Sequence, residues 1–406
     1  RYERQQILSK TAEILVSRRD AISDLITAEC GLSKKDSMYE VGRAFDVFTL
    51  TAQLCILDDG EIFSCDLTPH GQKRKIFTQR EPLQGVISAI TPFNHPLNMV
   101  AHKIAPSIAT GNRMVCKPTE LTPLTAILLA DVLYEAGLPP EMFQVVTGLP
   151  EDVGEEMITN DHIDLITFTG GVPVGKMIAD KAGYRRTVLE LGGNSPFIVM
   201  EDADLDIAVP GVLRASFLNS GQICLCGSRV LIHSSIYDEF MSRYLEQLRS
   251  FEIGPVISDS HRDKVMSYVE LAIQEGGNIL AGGNIPDKPG SWIEPTVIGG
   301  LSHKSRTATE EIFGPVVTIH QFDSDDEAVQ MANSTQYGLA GSVWSKNKGR
   351  TIAEKIDSGM VWVNTWLHRD LRVPFGGVKD SGVGREGGMW SIGFFSEAVN
   401  ICVMED

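Results

Sequence analysis

Leu8, Ala12, Ile14, Leu15, Ile22, Leu25 and Ile26 recur at helical spacing among charged residues, so the first ~30 residues read as amphipathic helix. The same period predicts a second helix from Met38 to Gln53. Glu61–Leu67 and Lys75–Arg80 then take on strand texture around the turn residues Pro69-His70-Gly71, which predicts a hairpin projecting from the body. From Gly85 short apolar runs alternate with helical stretches. Gly85–Ile90, Arg113–Lys117, Phe143–Thr147 and Leu165–Thr169 read as strands, with an apolar helix over Leu124–Ala136. Strands apolar throughout belong to a parallel sheet covered on both faces. A second series follows Cys224, with strands over Ser228–His233, Val316–Phe322 and Ser342–Ser345 and a helix over Asp238–Leu248. The predicted class is α/β, without internal repeat or low-complexity tract.

A chain of 406 residues is too long for one small core and suggests about two or three domains. Its 36 Lys plus Arg against 53 Asp plus Glu give a net charge of −17. That balance argues against binding nucleic acid or an anionic membrane, whose phosphates it repels. An anionic small molecule therefore has to be held by local groups against the overall field. Seven cysteines without a CxxC pair predict a reducing, cytoplasmic setting and no bound metal. No apolar run approaches the ~18 residues of a transmembrane helix, and no signal-peptide pattern opens the chain. The start at Arg1, mid-pattern and without methionine, predicts further residues in front.

Three stretches carry candidate chemistry. Thr169-Gly170-Gly171-Val172-Pro173-Val174-Gly175 stands between a predicted strand and a predicted helix. Glycines there let backbone approach a phosphate, and the helix start supplies N–H donors; a tight strand-to-helix turn has the same look. Glu190-Leu191-Gly192-Gly193-Asn194 puts a carboxylate ahead of a Gly-Gly pair and an apolar strand, which suggests an acid facing a cleft. Asn219-Ser220-Gly221-Gln222-Ile223-Cys224 gives a flexed approach to a cysteine near a helix, a setting that lowers a thiol pKa. Cys226, two residues on, reads as packing.

The order of these stretches says more than each alone. Asn94 in Pro92-Phe93-Asn94-His95-Pro96, Lys117-Pro118-Thr119-Glu120, the glycine turn, Glu190-Leu191-Gly192-Gly193, Gly221-Gln222-Ile223-Cys224, Glu311-Ile312-Phe313-Gly314-Pro315 and Pro374-Phe375-Gly376-Gly377 occur in one series. The series resembles the aldehyde dehydrogenase superfamily over the whole chain. The resemblance implies Cys224 as nucleophile, Asn94 as oxyanion donor and Glu190 as the base that hydrolyses a thioester. It implies NAD as cofactor: Lys117 and Glu120 at the adenosine ribose, with Glu120 disfavouring the 2′-phosphate of NADP, and Thr169, Gly170, Gly171 and Gly175 at the pyrophosphate. Glu311 would hold the nicotinamide ribose, with Phe313 and Phe375 as walls. Two positions depart from the pattern, Gly171 for a usual serine and Asn194 for a usual lysine. The fold implied is a Rossmann-type NAD-binding domain over 1–189, regained over 372–394, and an α/β catalytic domain over 190–371. A small β oligomerisation part would join the 61–81 hairpin to 395–406, with a strand over Glu397–Met404. Exposed apolar hairpin strands are edge liabilities unless covered, so a homodimer or homotetramer is expected.

Substrate has to be read from side chains outside this shared machinery. Trp366-Leu367-His368-Arg369-Asp370-Leu371 resembles a stretch of the 2-hydroxymuconic and 2-aminomuconic semialdehyde dehydrogenases. That likeness implies Arg369, with Arg43 from the second helix, gripping a substrate carboxylate. Tyr39–Arg43, the hairpin and Thr91–Leu97 look instead like phosphonoacetaldehyde dehydrogenases, which carry arginine where this chain has Ile223; there His95 would contact the anion. A broad-specificity aldehyde dehydrogenase, a cofactor-free thiol esterase and a non-catalytic relative are further alternatives. The presence of Cys224, Glu190 and Asn94 together weighs against the last.

Overall fold

The computed structural model describes residues 1–57 and 60–403. Helices α1 (Tyr2–Ser17) and α2 (Arg19–Cys30) meet at Arg18, whose backbone (φ −110°, ψ 17°) leaves the helical region. The single amphipathic helix read from the sequence is therefore two. Helix α3 (Lys34–Leu54) starts ahead of Met38 because Ser33 Oγ accepts the Asp36 amide N–H, an N-cap that extends the first turn. Leu8, Leu15, Ile22, Val41 and Phe48 from these helices are buried in one core with Ile87, Leu129 and Phe143.

The hairpin strands are β1 (Ile62–Ser64), shorter than expected, and β2 (Lys75–Glu81), with Ile62 opposite Phe77. The alternating series then follows: β3 (Val86–Thr91), α4 (Asn98–Thr110), β4 (Arg113–Pro118), α5 (Pro123–Ala136), β5 (Phe143–Val145), α6 (Pro150–Thr159), β6 (Ile163–Thr169), α7 (Val172–Ala182) and β7 (Arg186–Glu190). These strands lie in the order β7-β6-β3-β4-β5 and are parallel. The chain builds from β3 outward to β5, then crosses back to place β6 on the other flank of β3. Such a reversal opens a crevice beyond the carboxyl ends of the two central strands. Here those ends are Thr91 and Thr169.

The second sheet contains β8 (Pro196–Val199), β9 (Arg229–His233), β10 (Asn278–Ala281), β11 (Thr296–Gly299), β12 (Val316–Phe322), β13 (Ala340–Trp344) and β14 (Met360–Val363). Its order is β10-β11-β12-β9-β8-β13-β14, parallel except for β10. Helix α8 (Leu205–Phe217) packs on its buried face through Val209, Val212 and Leu213. Beyond β14 the chain returns to the first sheet as β15 (Gly382–Val383), with Gly382 opposite Glu190. Strand β16 (Glu397–Val403) then pairs with β2 and is exposed along its length, including Val399, Ile401 and Val403. Met404 and the remainder of the expected 395–406 segment lie outside the described residues. Among those described, no helix is long and apolar enough to cross a membrane, and no cluster of three His, Cys, Asp or Glu side chains suits a metal ion.

Candidate active site

A cavity of about 1080 Å³ is lined from both large sheets and receives Asn94, Glu190, Cys224 and Glu311. Helix α8 delivers the chain to Cys224 through a short turn in which Asn219 (φ 50°), Ser220 (φ 55°) and Gly221 (φ 74°) are all left-handed. A Cβ on Gly221 would run into the Gly314 carbonyl. Two non-glycine residues in this region store strain of about 1–3 kcal/mol each, which the surrounding packing holds. The expectation of a lowered thiol pKa fails. Burial pushes Cys224 up to about 12, the Arg369 cation pulls it down, and Glu311 and Glu190 push it further up. Cys224 follows a strained turn instead of opening a helix, so no helix terminus offsets these carboxylates.

Asn94 is buried in the loop after β3. Its Nδ2 donates to the Gln222 carbonyl at 3.0 Å, while Asn219 Nδ2 donates to the Asn94 carbonyl at 3.2 Å. The two bonds lock the Asn94 loop to the Cys224 loop and leave one Asn94 N–H for the cavity. From the other side the loop is held by Glu40 of α3. Its Oε1 accepts the amide N–H groups of Leu97 and Asn98, both at 2.9 Å, where the partial positive charge of the α4 start favours a carboxylate. Burial nevertheless pushes Glu40 up to about 8 against those two bonds. Glu40 belongs to none of the motifs read from the sequence; its one signal there is a carboxylate one turn before Arg43 in the same helix.

Glu190 ends β7, is 4% exposed, and has no partner for either carboxylate oxygen. Burial, then the nearby Glu386, hold its pKa well above the usual carboxylate range, while Lys103 and Arg385 oppose them. Gly376 sits at φ 149°, which favours glycine in the Pro374–Gly377 loop, and a Cβ there would also crowd Glu190 Oε1 at 2.7 Å and the Gly384 carbonyl at 3.0 Å. Lys103 and Glu386 form a buried ion pair at 2.8 Å, and Lys103 also donates to Thr167 Oγ1 at 3.0 Å. Neither stands out in the sequence motifs, although Lys103 is a lone charge among Val100, Ala101, Ile104 and Ala105 in α4. Asn194 donates to the Ala308 and Glu310 carbonyls and accepts from the buried Arg229 Nε at 2.7 Å. The departure from lysine thus ties the Glu190–Asn194 stretch to the segment carrying Glu311.

Along the crevice lie the groups matched to a dinucleotide. Lys117 is buried, donates to the Pro118 carbonyl at 3.2 Å and lies 3.7 Å from Glu120, which is exposed at the cavity edge. Thr169 Oγ1 is buried without a partner. The Gly170 amide donates to the Glu190 carbonyl at 3.0 Å. Gly171 precedes the first turn of α7, and a Cβ added there would meet nothing nearer than Pro173 Cδ at 3.8 Å. A serine would fit at that position, whereas Gly175 lies hard against Leu191. Glu311 Oε1 accepts the Gly193 amide at 2.8 Å, and burial pushes this carboxyl up to about 7. Phe313, itself left-handed at φ 59°, meets Phe93 edge to face at 5.9 Å. Two carboxylates able to accept ribose hydroxyls, with a cation, an orphaned hydroxyl and a helix start able to meet phosphates, fit a dinucleotide.

The other wall carries the arginines. Arg369, beyond β14, lies with its Cζ 4.9 Å over the Phe375 ring, and its buried Nε has no acceptor. Burial lowers its pKa to about 10, Cys224 opposes that, and the Arg43 charge lowers it further. Arg43 Nη1 is 3.9 Å from Asp46, and its buried Nη2 has no acceptor either. His95 faces the same cavity, and burial followed by the Arg369 charge lowers it to about 4.

Residues 1–401 match the model of the aldehyde dehydrogenase family. The chain is 44% identical over 358 residues to a 2-aminomuconic 6-semialdehyde dehydrogenase of a Pseudomonas species, covering 83% of this chain and 73% of that one. It is 39% identical to the 2-hydroxymuconic semialdehyde dehydrogenase of Pseudomonas sp. strain CF600, over 99% of this chain and 86% of that one. The crystal structure of a betaine aldehyde dehydrogenase from Staphylococcus aureus in complex with NAD+ superimposes with a TM-score of 0.94 at 36% identity, over 98% of this chain and 82% of that one.

Proposed function

Because the chain belongs to the aldehyde dehydrogenase family, we propose that it uses NAD to oxidise a semialdehyde whose far end carries a carboxylate, releasing the free acid, with a muconic-type semialdehyde as the leading substrate. The observation that carries this reading is the pair of guanidiniums. Arg43 and Arg369 line the cavity that holds Cys224, and each has a buried N–H without an acceptor. Leaving such donors unmet costs about 1–3 kcal/mol apiece, and a carboxylate meets both. The fold is shared with enzymes named for betaine aldehyde, whose quaternary ammonium these two cations would repel.

NAD bound along the crevice supplies a hydride acceptor at its nicotinamide ring. Lys117 and Glu120 hold the adenosine ribose, Thr169, Gly170 and Gly171 the pyrophosphate, and Glu311 the second ribose. Cys224 Sγ, its proton released to solvent, adds as the thiolate to the aldehyde carbon, and the remaining Asn94 N–H with the Cys224 amide receives the developing oxyanion. Glu190, whose pKa burial holds above the usual carboxylate range, is the base that activates the water that releases the acid from Cys224.

Two measurements test these assignments. Arg369→Ala should lower kcat/KM on a carboxylate-bearing aldehyde roughly 10–150-fold, the loss of one charge-assisted pair of about 1.5–3 kcal/mol. The preference over neutral hexanal should collapse with it; equal losses on both aldehydes would make Arg369 structural. Glu120 places a carboxylate where NADP carries its 2′-phosphate, so kcat/KM should favour NAD by about tenfold or more. Equal use of the two cofactors would remove Glu120 from the ribose.

A further inference from the structure

Beside the two arginines stands a side chain to which the reaction above gives no part. His102 lies on α4, one residue before Lys103, and faces the cavity. It is half-buried, and its ring makes no hydrogen bond with any described residue. The charges around it are Glu386, Arg43, Arg369 and Lys103. Glu386 is committed to Lys103 at 2.8 Å, so His102 has no acid of its own. Burial first, and the three cations, lower its pKa to about 4 against the pull of Glu386. The ring is therefore neutral in use, with one nitrogen donating and the other accepting.

The relatives are named for muconic semialdehydes substituted at C2 with hydroxyl or amino. In such a molecule C6 is the aldehyde, so the substituent sits at the opposite end, next to the C1 carboxylate. Arg43 and Arg369 are among the charges acting on His102 across the shared cavity, so a carboxylate held by the two would bring that substituent toward the ring. Arg43 and Arg369 themselves are occupied by the carboxylate, and Glu40 is occupied by the α4 amides. Building on the carboxylate-bearing substrate proposed above, we propose that His102 is a specificity-determining residue that hydrogen-bonds the hydroxyl or amino group adjacent to the substrate carboxylate. A neutral imidazole suits that role, because it accepts from O–H or N–H and adds no charge to compete with the arginines.

Steady-state kinetics on the full chain with NAD tests it with two substrates, 2-hydroxymuconic semialdehyde and 6-oxohexa-2,4-dienoate, which differ only by the hydroxyl. The native protein should prefer the hydroxylated substrate by about tenfold or more in kcat/KM, as a site built around a hydroxyl rejects the analogue lacking it. His102→Phe should shrink that ratio below about threefold, and His102→Gln, which keeps a donor and an acceptor, should retain most of it. Should the phenylalanine variant fail to fold, His102→Leu reads the same ratio without added bulk. A native ratio near one, or a ratio unchanged in the variants lacking ring nitrogens, overturns the role. Arg369→Ala keeps the outcomes apart. If it spares both acids relative to hexanal, the carboxylate assignment itself fails, whatever His102 does.

Discussion

Replacing Cys224 by alanine is expected to remove dehydrogenase turnover by roughly 10⁶-fold, the order of loss that follows deletion of a covalent nucleophile. NAD affinity should stay close to native, because the residues assigned to the dinucleotide lie along the crevice ends of β4 and β6 and in the Glu311 segment. Production of reduced nicotinamide measures the first effect and titration calorimetry with NAD the second. Two neighbours have alternative claims on the chemistry. Cys226 is buried and directs its thiol toward the Leu218 carbonyl at 3.9 Å. Glu190 has both oxygens free but would form a far less stable acyl anhydride. Substantial turnover in Cys224→Ala would therefore displace Cys224 from the nucleophile's role.

Glu190→Gln should separate the two halves of the reaction. Acyl transfer to Cys224 does not require a carboxylate at position 190 to activate water, whereas release of the acid does. The expected trace is a burst of reduced nicotinamide equivalent to the sites present, then steady turnover slowed by about 10²–10⁴-fold, the range for a lost general base. Glutamine preserves shape, and both carboxylate oxygens lack partners, so the change leaves no hydrogen bond broken. Loss of the burst as well would place Glu190 in the earlier step, as acceptor of the Cys224 proton. A wild-type rate would require another base.

The motifs behind the candidate site are legible because each candidate group sits in a short stretch with its own backbone requirement. Glycine at 221 is imposed by the Gly314 carbonyl and glycine at 376 by a backbone angle of 149°, so the spelling of those loops records their backbone. The alternation of apolar runs likewise marks elements of both sheets and their helices, with strand β12 and helix α5 close to their read bounds. What stayed hidden depends on partners remote in sequence. Lys103 and Glu386 stand 283 residues apart, and no local pattern announces their meeting. The direction of the Cys224 shift is of the same kind, since it is decided by burial and by carboxylates from two other segments. The break at Arg18 is illegible in the sequence for a different reason: apolar spacing continues across it, and only the backbone angles change.

Strand β15 has a bearing on how the molecule is made. It supplies the outer neighbour of β7, with Gly382 against Glu190 and Val383 against Leu189, and β16 later does the same for β2. A chain emerging from the ribosome has completed the five parallel strands of the first sheet long before either arrives. Throughout that interval the edge of β7 presents unpaired amides and carbonyls, a template for wrong partners. Strand β15 thus closes a sheet begun at β3, and a nascent chain stalled ahead of Gly382 would hold Glu190 on an open edge.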